Sequence, residues 1–346
     1  MLTDQRIENE EQLEQVLSRP YPQTVELLGS TEGDFLVLGA GGKMGPTLCR
    51  LLKNACAASG RERRVYAVSR FSDPEAQNRL ESAGIQTIRA DLLDPSVYAA
   101  LPDAANIFFL AGMKFGASAR EELTWAMNTY VPALAADRWS GPGLRLVVFS
   151  TGNVYPFVPV DSGGADEDTI PAPLGEYAMS CLGRERIFQH FSTVRGTRTV
   201  LIRLNYANEL RYGVLVDLAQ KVVTGQAIDL AMDHVNVIWQ GDANNYIARS
   251  LSVASSPAAV LNVAGAETLE VRWLAEQIGR LAGKKVSFTG SPQPTALLSD
   301  SSRCLDLFGP PAVPLDWMLS QVVDWVRGGG KTLKKPTKFQ VRDGKF

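Results

Sequence analysis

The chain has 346 residues and little that would tie it to a metal, a nucleic acid or a membrane. Its two histidines, His190 and His234, lie far apart, so a histidine-rich metal site is not expected. The four cysteines (Cys49, Cys56, Cys181, Cys304) have no framework spacing, which points to reduced thiols and a cytoplasmic protein. A net charge of −2 gives no electrostatic reason for a nucleic-acid partner. No apolar run approaches the ~20 residues of a membrane span, and the polar N-terminus lacks a signal-peptide core. Hydrophobic content of 45% and charged content of 21% are ordinary for a soluble globular protein. The length suits a large core, in one domain with a substantial lobe, or two.

What is present starts at Phe35-Leu36-Val37-Leu38. This apolar run breaks into Gly39-Ala40-Gly41-Gly42-Lys43-Met44-Gly45, and a helical pattern follows through Leu48, Leu51 and Leu52. A buried strand turning through glycines into a helix N-terminus suits a dinucleotide pyrophosphate. Glycines let the backbone approach the phosphates, while free N–H groups and the helix dipole stabilise the negative charge. The spacing is G-x-x-G-x-x-G, looser than G-x-G-x-x-G, and no Gly-Lys-Ser/Thr makes it a P-loop.

From residue 34 short apolar runs alternate with helical segments. Strands are predicted at 35–38, 64–68, 85–89, 106–110, 144–149, 199–204 and 259–263, with helices near 45–58, 74–82, 118–138, 176–192, 214–224 and 241–255. That alternation implies an α/β fold, a doubly wound parallel sheet with a smaller C-terminal substrate lobe. Residues 3–18 read as an amphipathic helix ended by Pro20 and Pro22, packing on the core or a neighbouring subunit. A further helix spans Leu269 to Leu281, 286–318 is rich in proline and serine, and 319–327 looks helical. Gly328-Gly329-Gly330 then releases a lysine-rich tail, expected to be flexible or clamped to the surface. The implied organisation is an N-terminal extension (1–33), a dinucleotide-binding domain (34–205 with about 235–265), a substrate lobe (206–234 with 266–327) and a basic tail (328–346).

The second strand ends Val68-Ser69-Arg70-Phe71. An acidic residue here commonly holds the ribose hydroxyls of NAD, whereas arginine accommodates the 2′-phosphate of NADP. Ser69 and Arg70 therefore favour NADP(H), with NAD(H) the alternative. Further segments fall in a recognisable order: Asp91-Leu92 after the third strand, Leu110-Ala111-Gly112-Met113-Lys114 after the fourth, Ser150-Thr151-Gly152-Asn153 after the fifth, Glu176-Tyr177-Ala178-Met179-Ser180-Cys181, Arg203-Leu204-Asn205-Tyr206, and Asn262-Val263-Ala264-Gly265. From about residue 34 to 325 the chain resembles the extended short-chain dehydrogenase/reductase superfamily, of the NAD-dependent epimerase/dehydratase type.

The resemblance implies that Asp91 and Leu92 lie at the adenine, that Leu110, Ala111, Gly112, Lys114 and Asn128 lie along the cofactor, and that Thr151 and Tyr177 are catalytic. Tyr177 would exchange a proton with a substrate hydroxyl or carbonyl while the nicotinamide exchanges hydride, and Thr151 would hydrogen-bond the same oxygen. The family's lysine, four residues after the tyrosine, lowers the tyrosine pKa and holds the nicotinamide ribose. Here that position is Cys181. The helical spacing survives but the charge does not. Three explanations stand. Lys114 or Arg184 substitutes as the cation, or the reaction needs no strong tyrosine base, or the protein binds cofactor without the redox step. A cysteine inside an apolar helix is more often an inert core residue than a nucleophile.

In relatives acting on nucleotide sugars an arginine precedes an aspartate and contacts the diphosphate. The counterpart here, Ala231-Met232-Asp233-His234, has Met232 in that place, which points to a smaller hydroxylated or keto substrate such as a free sugar or sugar acid. Asn153, Asn205, Tyr206, Asn208, Arg211, Asn236 and Trp239 are candidate substrate-pocket residues. The function expected is an NADP(H)-dependent oxidoreductase or epimerase acting on a small carbohydrate-like metabolite. The alternative is a cofactor-binding but catalytically silent redox sensor or scaffold. The resemblance also implies a homodimer through two helices per subunit.

Overall fold

The apolar runs become one parallel sheet in the computed structural model, which describes residues 6–114 and 119–345. Its strands are β1 (Phe35–Leu38), β2 (Val65–Ser69), β3 (Gln86–Arg89), β4 (Asn106–Phe109), β5 (Arg145–Thr151), β6 (Arg198–Leu204) and β7 (Ala259–Val263). They lie in the order β7-β6-β5-β4-β1-β2-β3, every neighbour parallel. Strands β1 and β4 are buried at every residue, because a parallel sheet covered on both faces needs continuous apolar runs rather than alternation. Chain order reverses between β1 and β4, and a crevice opens beyond their carboxyl ends.

Helices α1 (Glu10–Leu17) and α2 (Pro22–Ser30) precede the sheet. Helices α3 (Gly45–Ala58), α4 (Pro74–Ser82), α5 (Glu121–Trp125), α6 (Val131–Arg138) and α7 (Gly175–Arg195) cross over between strands, with a π turn over Ala126–Tyr130 joining α5 to α6. Then come α8 (Val214–Thr224), α9 (Gln240–Arg249), α10 (Val271–Ala282), α11 (Ser302–Phe308) and α12 (Leu315–Arg327). Phe35 and Val37 enter the core on one face of the sheet, Leu36 and Leu38 that on the other. A third core joins α8, α10 and α12 and takes in Leu13 and Leu17 of α1 and Phe339 of the tail.

Two expectations need correction. Pro22 does not simply end a helix; it opens α2, where a residue without an N–H costs nothing in the first turn. Helix α12 begins at Leu315, four residues before the predicted 319. The tail is clamped. The Thr337 amide and hydroxyl donate to Asp217 Oδ2 at 2.8 and 2.6 Å, and the Leu333 amide donates to the Arg211 carbonyl at 3.0 Å. Among the described residues no helix is long and apolar enough to cross a membrane.

Behind the crevice lies a buried ion pair. Glu185 of α7 accepts from Arg203 of β6 at 2.8 and 3.0 Å, and from the Ser150 hydroxyl of β5 at 2.6 Å. Arg203 also donates to the Tyr155 hydroxyl at 2.8 Å, which donates to Asn262 Oδ1 of β7 at 2.8 Å. Removing one partner strands the other charge in the core. Arg203→Leu is expected to lower stability by about 3–5 kcal/mol, measured as a shift in the urea midpoint; a loss under about 1 kcal/mol would show that the pair does not brace the fold.

Candidate active site

The glycine loop is tied down before it meets any ligand. The Gly39 and Ala40 amides both donate to the Val68 carbonyl at 2.9 and 3.0 Å, and the Gly42 amide closes a turn onto the Gly39 carbonyl at 3.1 Å. Gly39 sits at φ +88°, where a Cβ would lie 2.5 Å from the Ala111 amide nitrogen. A Cβ on Gly45 would collide with the Ala40 carbonyl, so only glycine lets α3 pack this closely under the loop. On the open side a Cβ at Gly42 would meet nothing nearer than the Gly39 carbonyl at 3.3 Å. Helix α3 starts without a side-chain cap. A close backbone approach beside an uncapped helix N-terminus fits a dinucleotide pyrophosphate. Met44, by contrast, is buried, and its carbonyl accepts from the Thr47 hydroxyl.

One groove runs from the loop toward β2 and β3, lined by Gly39, Gly41, Gly42, Ser69, Arg70, Asp91, Leu92, Leu110, Ala111 and Gly112, together with Asp73 and Lys335. Arg70 is exposed at its mouth. Asp73 caps α4 by accepting from the Glu75 amide at 3.0 Å. A second pocket of about 230 Å³ continues from Leu110 and Gly112 past Lys43, Lys114, Thr151, Asn153, Tyr177, Asn205 and Tyr206.

Thr151 and Tyr177 come together there. Tyr177 faces Thr151 and Cys181, both near enough to act on the charge of its phenol. Thr151 in turn donates to Asn153 Oδ1 at 2.9 Å. Burial, with Cys181 beside it, pushes the Tyr177 phenol well above the usual 10.0, while the Arg184 guanidinium pulls the other way. Burial also raises the Cys181 thiol, so it stays protonated and unreactive.

Both candidate cations reach this pocket. Lys114 Nζ lies 5.7 Å from the Tyr177 ring centre, and burial draws its ammonium down to about 8. Arg184 is 5% exposed and donates to the Phe149 carbonyl at 2.8 Å and to Asn128 Oδ1 at 2.6 Å, while its buried Nε has no hydrogen-bond partner. Asn128 acts from behind. It accepts from the Met113 amide at 2.9 Å and donates to the Met113 carbonyl at 3.0 Å and to Ser180 at 2.9 Å, fixing the 110–114 turn against α7. Lys43 leaves the loop for the lobe. Its Nζ sits 3.8 Å over the Tyr212 ring and donates to the Ala207 carbonyl at 3.2 Å, with its pKa lowered by burial to about 7.

Several candidate residues serve the fold instead. Arg211 does not line the pocket; it pairs with Glu14 at 2.7 Å and Glu209 at 3.2 Å, anchoring α1 to the lobe. Asn236 is buried, donating to the Glu267 carbonyl at 3.1 Å and accepting from the Ser299 amide at 2.9 Å. Asn208 accepts from the Leu215 amide at 3.1 Å, and Trp239 packs edge-on against Trp317. His234 lies 3.2 Å from Asp233. Sequence reasoning missed Tyr212 and Thr337, which line the pocket. The signal for Thr337 was its alternation with Phe339 between exposed lysines, both being buried.

With its phenol held this high, Tyr177 is expected to stay protonated in the free protein. Ultraviolet titration of the wild type minus Tyr177→Phe should show no phenolate below the usual 10.0. A phenolate near neutrality would overturn the electrostatic picture.

The NAD dependent epimerase/dehydratase family model matches residues 35–214. No curated protein matches the chain. Among solved structures, UDP-glucuronic acid 4-epimerase from Bacillus cereus, in complex with UDP-glucuronic acid and NAD, superposes with a TM-score of 0.71 at 19% identity, covering 85% of this chain and 99% of its own. UDP-glucose 4-epimerase from Thermus thermophilus, in complex with NAD, gives 0.68 at 21%, covering 85% and 99%. UDP-glucose 4-epimerase from Thermotoga maritima, with UDP-glucose, gives 0.69 at 17%, covering 86% and 99%. At such identities these structures speak for the fold, whereas the family model takes in more than half of the sequence. The chain belongs to the NAD dependent epimerase/dehydratase family.

Proposed function

We propose that this protein is a nicotinamide-dinucleotide-dependent oxidoreductase or epimerase of the extended short-chain type, favouring NADP(H), that acts on a hydroxyl or carbonyl of a small, anionic, carbohydrate-like metabolite. The observation that carries this reading is the Thr151–Tyr177 pair, set together in a pocket that opens directly into the glycine-lined groove. The dinucleotide would supply or accept the hydride. Tyr177 would hold the proton at the substrate oxygen, and Thr151 would hydrogen-bond that oxygen. A phenol that stays protonated suits giving a proton to a developing alkoxide, which favours carbonyl reduction. Lys114 and Arg184 supply the positive charge that Cys181 does not.

Charge narrows the substrate class. Lys43, Lys114 and Arg184 line the pocket, and no carboxylate is among its described lining residues. A substrate carboxylate would offset that charge. Arg70 and Lys335 at the far end of the groove support NADP(H), because both are cations placed where a 2′-phosphate would add negative charge. Trp125, Tyr130 and Met179, exposed apolar residues of α5, the π turn and α7, support a homodimer through those helices.

Titration with NADPH and NADH, followed by nicotinamide fluorescence, is expected to give tighter NADPH binding. Tyr177→Phe should cut substrate-dependent hydride transfer about 10²–10⁴-fold and leave the NADPH Kd within about threefold. Binding of neither dinucleotide would sink the reading. Cofactor binding with no turnover that depends on Tyr177 would favour the silent sensor instead.

The lysines generate a pH prediction. An anion in the pocket favours the Lys114 ammonium, raising its pKa above about 8 in the complex, so binding takes up a proton between those two pKa values. Affinity for a sugar acid should therefore fall as pH rises above about 8, by at most tenfold per unit. A neutral polyol should show no such slope, and Lys114→Met should flatten it to the part that Lys43 contributes from about 7. Equal slopes for acid and polyol would count against the charge assignment.

A further inference from the structure

Within ten residues of the tail, 335–344, five side chains or backbone positions line successive parts of the cleft. Lys335 lines the groove beside Arg70, and Thr337 lines the reaction pocket. Phe339, Val341 and Gly344 then form one wall of a cavity of about 220 Å³ in the lobe, which meets the reaction pocket at Asn153 and Tyr206. The other walls of that cavity include Phe157, Leu174, Met232 and Leu297.

This strap is built into the lobe. Phe339 is 3% exposed within the lobe core. Arg342 donates to the Thr295 carbonyl and hydroxyl, both at 2.7 Å, and to the Ala231 carbonyl at 3.3 Å, and its guanidinium stacks 4.3 Å from the Phe157 ring centre. Gly344 abuts the first turn of α7, where a Cβ on it would lie 2.5 Å from the Leu174 carbonyl. Lys334 and Lys338 flank the crossing at φ +51° and +53°, a left-handed conformation that persists for lysine only where surrounding contacts hold it.

Each chamber is smaller than the roughly 300–1,000 Å³ of pockets that enclose drug-sized ligands. Arg342 Nη1 lies 3.6 Å from the Met232 sulfur, but its donors are engaged by the lobe, so it clamps the strap rather than facing a diphosphate. The solved epimerases that hold UDP-sugars are matched along 99% of their own length while covering 85–86% of this chain, which leaves room for additions such as the strap.

We propose that residues 335–344 set substrate size: the strap walls the substrate side into two small chambers, admitting a free sugar acid or similar metabolite and excluding a nucleoside diphosphate sugar. This rests on the oxidoreductase reading of the same pocket for its substrate, but not for the exclusion itself.

The test is calorimetric titration of UDP-glucuronic acid and of glucuronic acid, with and without NADPH, into the full chain and two released forms. One released form lacks residues 335–346, and the other is Arg342→Gln, a partly exposed clamp whose replacement leaves the core filled. Circular dichroism confirms folding. The full chain should show no UDP-glucuronic acid binding at about 1 mM, and release should tighten it at least about tenfold, with NADPH affinity within about threefold in Arg342→Gln, which keeps Lys335 in the groove. Equal affinity for UDP-glucuronic acid in full and released chains, including no binding in any of them, overturns the proposal. If the deletion does not fold, Arg342→Gln decides. Loss of NADPH binding throughout would refute the oxidoreductase reading and still leave the UDP-glucuronic acid comparison legible.

Discussion

Everything in the site hangs on the buried contact between Glu185 and Arg203. Glu185 lies two helical turns beyond Tyr177 on α7, and its other partner, Ser150, immediately precedes Thr151 on β5. One carboxylate therefore fixes the spacing between the helix that carries the phenol and the strand that carries the hydroxyl. An apolar contact would tolerate sliding; a fully buried charge pair with three satisfied donors does not. The Tyr155–Asn262 bridge extends the bracing to the sheet edge, so this side of the crevice is held before any ligand arrives.

That rigidity explains which features were legible in the sequence. Strands β1 and β4 read clearly because a doubly covered parallel sheet demands unbroken apolar runs, and the order of the loop, Thr151 and Tyr177 follows from strand order alone. Residues whose role depends on a distant partner were not legible. Arg211 looks like an anion ligand until α1 brings Glu14 to it across nearly two hundred residues. Asn236 looks like a pocket residue until Ser299 and Glu267 occupy its amide. Pro22 misled for a local reason, since the same residue ends one pattern and opens another depending on which side the helix lies. The tail was read for its lysines, while its buried residues sit at alternate positions between them.

The replacement of the motif lysine by Cys181 changes how charge is distributed rather than removing it. A lysine at that position would concentrate a cation beside the phenol. Here positive charge arrives from three directions: Arg184 from the same helix, Lys114 from the turn after β4, and Lys43 from the glycine loop. Of these, Arg184 lowers the Tyr177 phenol, and burial outweighs it.

A pocket that keeps buried cations bears a standing cost. Desolvation draws Lys43 and Lys114 down to about 7 and about 8, so each is destabilised as an ammonium in the empty protein. A purely structural pocket would be more stable with apolar side chains at both positions. Holding them in this pocket makes physical sense if a ligand brings negative charge that returns the ammonium groups to favourable pairing. The strap strengthens this argument, because by narrowing the cavity it removes water that would otherwise screen the lysines. Enclosure and charge thus act together: a small pocket makes each cation costlier when empty, and makes an anion that fits it the more strongly held.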